Sequence, residues 1–195
     1  MPSAVYARPA MPRPQPASVL ALRVELDGIR PAIWRRLLVP GGVHLGQLHA
    51  IFQAAMGWSD AHLHQFEIGG RQYGPADEDA DDDEIDEATV TVIGALEALH
   101  RFRYVYDFGD NWQHAITVEG VTRSPLSLRF AVCLDGKNAC PPDDCGGVYG
   151  YAAMLDALAD PSHDEHRTYR EWLGEEFDPT GFDLAAANAA LQRLA

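Results

Sequence analysis

Residues 101–119 carry the pattern that most restricts the fold, because two alternating runs stand on either side of a polar turn. Residues 101–106 and 115–119 alternate apolar with polar side chains, which is typical of strands that bury one face. The segment 107–112 contains Gly109, which adopts positive φ without steric cost, and Asp and Asn side chains that bond back to local backbone. The sequence therefore predicts an antiparallel hairpin whose turn carries two carboxylates, an amide and an indole.

The remaining pattern predicts an α+β fold. Period-two alternation predicts strands at 19–26, 33–39, 61–69, 71–73, 89–92 and 126–134. Apolar spacings of three and four predict helices at 45–56, with Gly57 as its stop, and at about 93–99, 150–159, 164–174 and 184–194. We expect a single compact domain in which an antiparallel sheet of hairpins is covered by helices, several of them C-terminal.

Two segments differ in composition from this domain, which we place at residues 19–195. Residues 1–18 are rich in Pro, Ala and Arg without a continuous apolar centre, which predicts a disordered tail and no secretory signal. Residues 76–88 predict a solvated acidic loop insert. Nine acids lie in residues 77–87, so the net charge of −14 falls to −5 elsewhere (−14 + 9).

Charge and hydropathy restrict the classes of function. The acidic balance argues against non-specific nucleic-acid binding, because phosphate contacts need clustered Lys and Arg. No apolar run approaches the roughly 18 residues of a membrane helix, so we expect no membrane partner and a cytoplasmic location. The chain shows no phosphate loop, dinucleotide fingerprint, nucleophile elbow or helical His-Glu-x-x-His motif.

Histidines near the central hairpin suggest a metal site. His62 and His64 stand two apart on a predicted strand, and His114, with Asp107 or Asp110, would complete a set of ligands. Three protein ligands and an open position allow Zn²⁺ to generate a nucleophilic hydroxide. The alternative is that the histidines are hydrogen-bonded structural residues, that the aspartates cap backbone N–H groups, and that no cofactor is bound.

Cysteines offer a second, weaker metal hypothesis. Cys133, Cys140 and Cys145 are an odd number in a chain without an export signal, which favours reduced thiols or metal ligands over disulfides. The gap between Cys140 and Cys145 falls within the broad range of zinc-site spacings. The sequence offers no second Cys pair to complete such a site.

Large aromatic side chains suggest a binding groove for a protein or small-molecule ligand. The candidate ligand-binding residues combine these aromatics with acids of the central turn and a glycine-rich loop: Trp34, Phe66, Tyr104, Asp107, Asp110, Trp112, Asp143, Asp144, Gly146 and Gly147. The alternative is that the aromatics form the core between sheet and helices. Trp112, in the predicted turn, is the aromatic that core packing explains least.

Six motifs occur in order and together resemble a known family. They are Trp34-Arg-Arg, Ala55-Met-Gly-Trp58, His62-Leu-His-Gln-Phe66, Tyr104-Val-Tyr-Asp-Phe-Gly-Asp-Asn-Trp-Gln-His114, Pro141-Pro-Asp-Asp-Cys-Gly-Gly147 and Phe177-Asp-Pro179. Over about residues 19–194 the chain resembles the plasmid Ri ORF-three-like family, whose members are also described as TnpR-like passenger proteins of insertion elements.

The resemblance implies a compact α+β domain without an established biochemical activity and an association with mobile DNA. It does not imply recombination chemistry, because the chain lacks a serine-recombinase layout. Where the family pattern has Pro-Pro-Glu-Asp, this chain has Asp143 and Asp144 after the prolines. We therefore expect a cytoplasmic binding or interaction module, with a metal-dependent hydrolase as the alternative.

Overall fold

The computed structural model describes residues 17–76, 83–124 and 128–194. The predicted N-terminal tail lies almost wholly outside these residues. The strands are β1 Ala17–Leu26, β2 Trp34–Pro40, β3 His64–Ile68, β4 Arg71–Gly74, β5 Ile85–Asp86, β6 Arg101–Tyr106, β7 Trp112–Ser124 and β8 Val132–Lys137. The helices are α1 Leu45–Met56, α2 Val92–Leu96, α3 Gly147–Ala159, α4 His166–Leu173 and α5 Leu184–Gln192.

The described strands form one mixed sheet in the order β5-β4-β3-β6-β7-β1-β2-β8. Each neighbouring pair is antiparallel except β4 and β5, which run parallel. The predicted central hairpin is β6–β7, and its register pairs Tyr106 with Trp112 across the turn. The sheet and its five helices confirm the predicted α+β class.

One face of the sheet is buried. Leu20, Leu22, Val24 and Leu26 of β1 are fully buried, whereas the intervening residues are partly exposed. Helix α1 packs on this face, and its own buried stripe includes Phe52. It ends at Gly57, as predicted, because φ of +101° there suits glycine.

The sheet also buries a cation that has no carboxylate partner in the part of the chain that the structure describes. Arg35 is 2% exposed and donates hydrogen bonds to the carbonyl oxygens of Trp34, Ala55 and Lys137, at 2.8–3.0 Å. Its guanidinium also lies 4.1 Å from the ring centroid of Phe182. These contacts join β2 to α1, β8 and the loop before α5.

Several predicted strand boundaries differ from the structure. Strand β3 begins at His64 rather than 61, β7 covers Trp112–Ser124 rather than 115–119, and the strand predicted for 126–134 is β8, which begins at Val132. The segment predicted as a strand at 89–92 overlaps the end of a 3₁₀ turn, Glu87–Thr89, and the start of α2, and it contributes only an isolated bridge from Thr91 to His44. The alternating pattern comes from the start of a helix rather than from a strand, because Thr91 is the N-cap residue of α2 and its hydroxyl accepts a hydrogen bond from the Gly94 amide.

The acidic loop predicted for 76–88 is only partly a solvated insert. Residues 77–82 lie outside the described residues. Ile85 and Asp86 form β5, and Glu87 is 7% exposed and accepts a hydrogen bond from His64 Nε2 at 2.9 Å. A charge run does not reveal such a pairing, because the partner stands 23 residues earlier in the chain.

Within the described ranges, none of the helices combines the length and apolar character needed to cross a bilayer.

Candidate functional site

Three loops meet at one edge of the molecule. They are the connection from α1 to β3, the turn between β6 and β7, and the loop that leads into α3. The Asp107 amide donates to the Leu63 carbonyl at 2.8 Å, and Trp58 Nε1 donates to the Pro141 carbonyl at 2.9 Å. The Gly146 amide donates to Asp110 Oδ2 at 3.1 Å. Each loop is therefore hydrogen-bonded to at least one of the others.

This meeting point assembles one imidazole and two carboxylates. Among the described residues, the His, Cys, Asp and Glu donors that gather in a group of three within 4.8 Å are those of His62, Asp107 and Asp144. His62 Nε2 lies 3.7 Å from Asp107 Oδ2 and 3.4 Å from Asp144 Oδ1. That nitrogen is buried and has no hydrogen-bond partner among the described residues. We call these three residues the His62 cluster.

Asp107 is held in a defined orientation. Its Oδ1 accepts hydrogen bonds from the amides of Gly109, at 2.9 Å, and Asp110, at 3.3 Å. Its other oxygen faces His62. Oδ1 of Asp107 therefore caps backbone amides, as predicted, and Oδ2 stays free of that contact and points at His62.

The turn and the loop before α3 use unusual backbone conformations. Asp107, Asn111 and Asp144 have φ between 53° and 61°. Asp and Asn tolerate this left-handed region better than other residues with a Cβ, but it remains less favourable than the right-handed region. These conformations bring Asp107 and Asp144, separated by 37 residues, onto one imidazole.

Asp143 anchors the loop that carries Asp144. Its Oδ2 accepts from the Ser59 hydroxyl at 2.8 Å, and its Oδ1 accepts from the Tyr106 hydroxyl at 3.3 Å. Burial raises the pKa of Tyr106 to about 12, so the phenol remains a donor at neutral pH. The ring of Tyr106 also meets His62 edge-on, with 5.8 Å between centroids.

The paired glycines predicted among the ligand-binding residues, Gly146 and Gly147, allow close packing in the structure. Gly147 has φ of +65°, and a Cβ there would overlap the carbonyl oxygen of Asp110. Gly146, exposed with φ of +87°, donates its amide to the Asp110 side chain and is the N-cap residue of α3. The glycines allow the start of α3 to lie against the 107–111 turn.

The three histidines predicted to share a metal do not assemble in the described part of the chain. His64 is buried, bonded to Glu87, and stacked on His49 with 3.4 Å between ring centroids. His114 is completely buried, and its Nδ1–H donates to the carbonyls of Trp112 at 3.0 Å and Tyr104 at 3.3 Å. Burial lowers the pKa of His114 to about 4. His62 alone faces the carboxylates, because it lies in the loop before β3.

The buried aromatic side chains do not line an open groove. Phe66, Tyr104 and Trp112 are fully buried and form core, including Trp112, the aromatic that core packing was expected to explain least. Trp112 begins β7 with its side chain on the buried face. Trp34 lies on the opposite face of the sheet, where the Arg23 guanidinium stands 4.2 Å from its ring centroid.

The cysteines are thiols without a metal geometry among the described residues. Cys133 is buried in β8, and burial raises its pKa. Burial also raises the pKa of Cys140, and that of Cys145 to about 12. None of the three thiols belongs to the group of three donors that the described residues gather within 4.8 Å.

Asp144 is the member of the His62 cluster that the sequence did not indicate as a metal ligand. It was predicted among the residues of the binding groove, and its distance in sequence from His62 conceals their contact. Of the two aspartates predicted as metal ligands, Asp107 lies in the His62 cluster. Asp110 instead accepts a hydrogen bond from the Gly146 amide.

Comparison with known proteins agrees with the resemblance drawn from the six motifs. An uncharacterised protein of Sinorhizobium fredii, y4hQ, is 37% identical over 182 residues, covering 92% of this chain and 93% of its own length. A crystal structure of a protein of unknown function from Methanosarcina mazei, MM3350, superposes with a TM-score of 0.79 at 35% identity, covering 86% of this chain and 96% of that chain. Residues 18–186 match the family described as plasmid pRiA4b ORF-3-like protein, and the chain belongs to that family.

Proposed function

We propose that this domain binds a divalent metal ion, Zn²⁺ in the first instance, through the His62 cluster and uses it in hydrolysis. The observation that carries the proposal is the spacing of the three donors. Ligands of a tetrahedral site with bonds of 2.0–2.2 Å lie about 3.3–3.6 Å apart. The distances of 3.4 and 3.7 Å from His62 Nε2 to the two carboxylates fall close to that spacing.

The chemistry of the donors supports the same proposal. One imidazole and two carboxylates suit Zn²⁺ and other divalent ions of intermediate softness. Backbone amides orient Asp107, and the hydroxyls of Ser59 and Tyr106 hold the loop that carries Asp144 through Asp143. Such outer contacts fix ligand geometry in metalloproteins.

Exposure of the cluster supports catalysis rather than a purely structural metal. The side chain of Asp144 is 75% exposed, so solvent reaches the cluster from the side of that carboxylate, whereas His62 Nε2 itself is buried. Three protein ligands leave a position for water, which the metal would activate as a nucleophile.

Elemental analysis tests the metal first, on protein purified without a metal-affinity tag and dialysed against Zn²⁺. We expect one ion per chain, and we expect His62→Ala and Asp144→Asn to weaken Zn²⁺ binding by more than about 100-fold, since even outer-shell changes cost 10–100-fold. Asp156→Asn, an exposed residue of α3, is the matched control. A folded wild type without metal, or Asp144→Asn binding as tightly as the control, contradicts the proposal.

Hydrolysis is tested on the same proteins with bis(p-nitrophenyl) phosphate and p-nitrophenyl acetate. We expect turnover that disappears with EDTA, returns with Zn²⁺, and falls in Asp144→Asn but not in Asp156→Asn. Metal binding without turnover of either substrate would leave a metal-centred binding module in place of a hydrolase.

Exposed apolar residues beside the cluster favour a second candidate, an interaction module. Leu63, Phe108 and Tyr149 are 57%, 54% and 91% exposed. Leu63 and Phe108 lie on two of the loops that meet at the His62 cluster, and Tyr149 lies in the first turn of α3, directly after the third loop. Apolar side chains around a polar centre suit a protein or peptide ligand.

A pull-down from the host lysate with the wild type and a Phe108→Ser/Tyr149→Ser variant tests this candidate. A protein retained only by the wild type supports it, and identical retained sets contradict it. The link to mobile elements implied by the family resemblance stays a prediction.

A further inference from the structure

A cavity lies away from the His62 cluster and shares none of its residues. It has a volume of about 320 Å³, between the β1–β2 connection and α3, and residues 179–180 close one side. Its walls are mainly apolar and include Ile29, Ile33, Leu155 and Leu158. A volume at the lower end of the range for ligand pockets suits a small molecule with an apolar body.

Two arginines line this apolar cavity. Arg30 is exposed on the β1–β2 connection and donates to the Ile29 carbonyl at 2.8 Å. Arg170 of α4 donates to the Phe177 carbonyl at 3.3 Å. The lining contains no Asp or Glu among the described residues.

Neither guanidinium has a carboxylate within 4.0 Å among the described residues. Arg23, Arg36 and Arg167 each lie that close to a glutamate, whereas other described arginines, such as Arg35, do not. In a chain of net charge −14, two such arginines at one apolar cavity leave a local excess of positive charge. A ligand carboxylate would complement it.

We propose that this cavity binds a small amphipathic carboxylate, of the class of medium-chain fatty acids. The carboxylate lies between Arg30 and Arg170, whose planar guanidiniums donate paired hydrogen bonds to such groups. The alkyl chain occupies the space lined by Leu155 and Leu158. The site is independent of the His62 cluster and of the function proposed there.

Isothermal titration of the full chain with octanoate, octan-1-ol and octylammonium tests the charge requirement. We expect octanoate to bind 10–100-fold more tightly than octan-1-ol, the effect of hydrogen bonds to a charged group, and octylammonium not to bind. Hexanoate is expected to bind more weakly than octanoate, by about fourfold for each methylene removed.

Variants then assign the interaction to the cavity. We expect Arg30→Gln and, separately, Arg170→Gln to lower octanoate affinity at least tenfold while octan-1-ol binds as before. Arg167→Gln, on the same helix as Arg170 but paired with Glu171, is the control and is expected to bind like the wild type. Leu155→Trp, which fills the cavity, is expected to abolish the binding of both octanoate and octan-1-ol.

Three results would overturn the proposal: no octanoate binding by the wild type at millimolar concentration, equal binding of octylammonium, or unchanged octanoate affinity in both Arg30→Gln and Arg170→Gln. Arg30 is exposed, so its substitution leaves the fold intact even if Arg170→Gln destabilises α4.

Discussion

The buried imidazole of His114 makes the stability of this domain depend on pH in a direction that can be calculated. Burial without a charged partner lowers its pKa to about 4, whereas histidine in an unfolded chain has a pKa of about 6.5. Between these values the unfolded state binds the proton and the folded state does not, so acid favours unfolding. The contribution is therefore complete above about pH 6.5 and is lost as the pH falls towards 4.

The size of the effect follows from the two pKa values. Their difference of about 2.5, at 1.36 kcal/mol for each pKa unit, gives about 3 kcal/mol for complete protonation. Between pH 7 and pH 4.5, which spans most of the window, His114 is expected to account for about 2–3 kcal/mol of lost unfolding free energy. That is a large share of the 5–15 kcal/mol typical of a domain.

Urea denaturation followed by far-UV circular dichroism at pH 7 and pH 4.5 measures this loss in the wild type and in His114→Gln. Glutamine keeps an N–H donor for the carbonyls of Trp112 and Tyr104 but does not titrate. Carboxylates and the buried His49, whose pKa burial also lowers, are common to both proteins and cancel in the comparison. His100→Gln, at an exposed position, is the control and is expected to follow the wild type.

We expect His114→Gln to be less stable than the wild type at pH 7, and to lose about 2–3 kcal/mol less on acidification. If the two proteins lose the same free energy between pH 7 and pH 4.5, His114 is not held neutral by burial and the reasoning is refuted.

Two further predictions concern the contacts that position the site and the core. Gly147→Ala is expected to lower the free energy of unfolding by about 2–5 kcal/mol, through a left-handed backbone penalty and a clash with the neighbouring turn. Gly70→Ala, with φ of +77° and open space around it, is expected to lower it by about 1–2 kcal/mol, through the backbone penalty alone. Equal urea midpoints for the two variants would contradict the close packing at Gly147. Tyr104→Phe removes the hydroxyl that hydrogen-bonds His49 at 2.7 Å and Gln53 at 3.0 Å. This change is expected to lower the free energy of unfolding by about 1–3 kcal/mol in the same assay. An unchanged urea midpoint would show that these hydrogen bonds add no stability.

The fold was largely predictable because its signals are local. Apolar and polar residues that alternate over a few positions predicted the β6–β7 hairpin and β1. Apolar residues spaced three and four apart predicted α1, which ends at Gly57. Where the prediction was wrong, as at 89–92, a capped helix start imitated a strand, because a few apolar residues do not distinguish the two periods.

The candidate site was predictable only in part. The 107–112 turn and the 140–147 loop were expected to lie at a site, and the structure brings both beside His62. The role of His64 was misjudged because its partner is Glu87, in a stretch that charge alone presents as solvated. Trp112 was predicted to lie in the turn, because it directly follows the turn residues. In the structure it is the first residue of β7, with its side chain on the buried face.

The sequence by itself determined the α+β class, the central hairpin, the family and the residue types available for chemistry, because periodicity and motif order act over short distances along the chain. Only the tertiary structure decided which of those residues meet. His62, Asp107 and Asp144 come from three separate loops, and Arg30 and Arg170 come from opposite ends of the chain. Side chains so far apart in sequence come together only through the pairing of strands and the packing of helices, which no local pattern records.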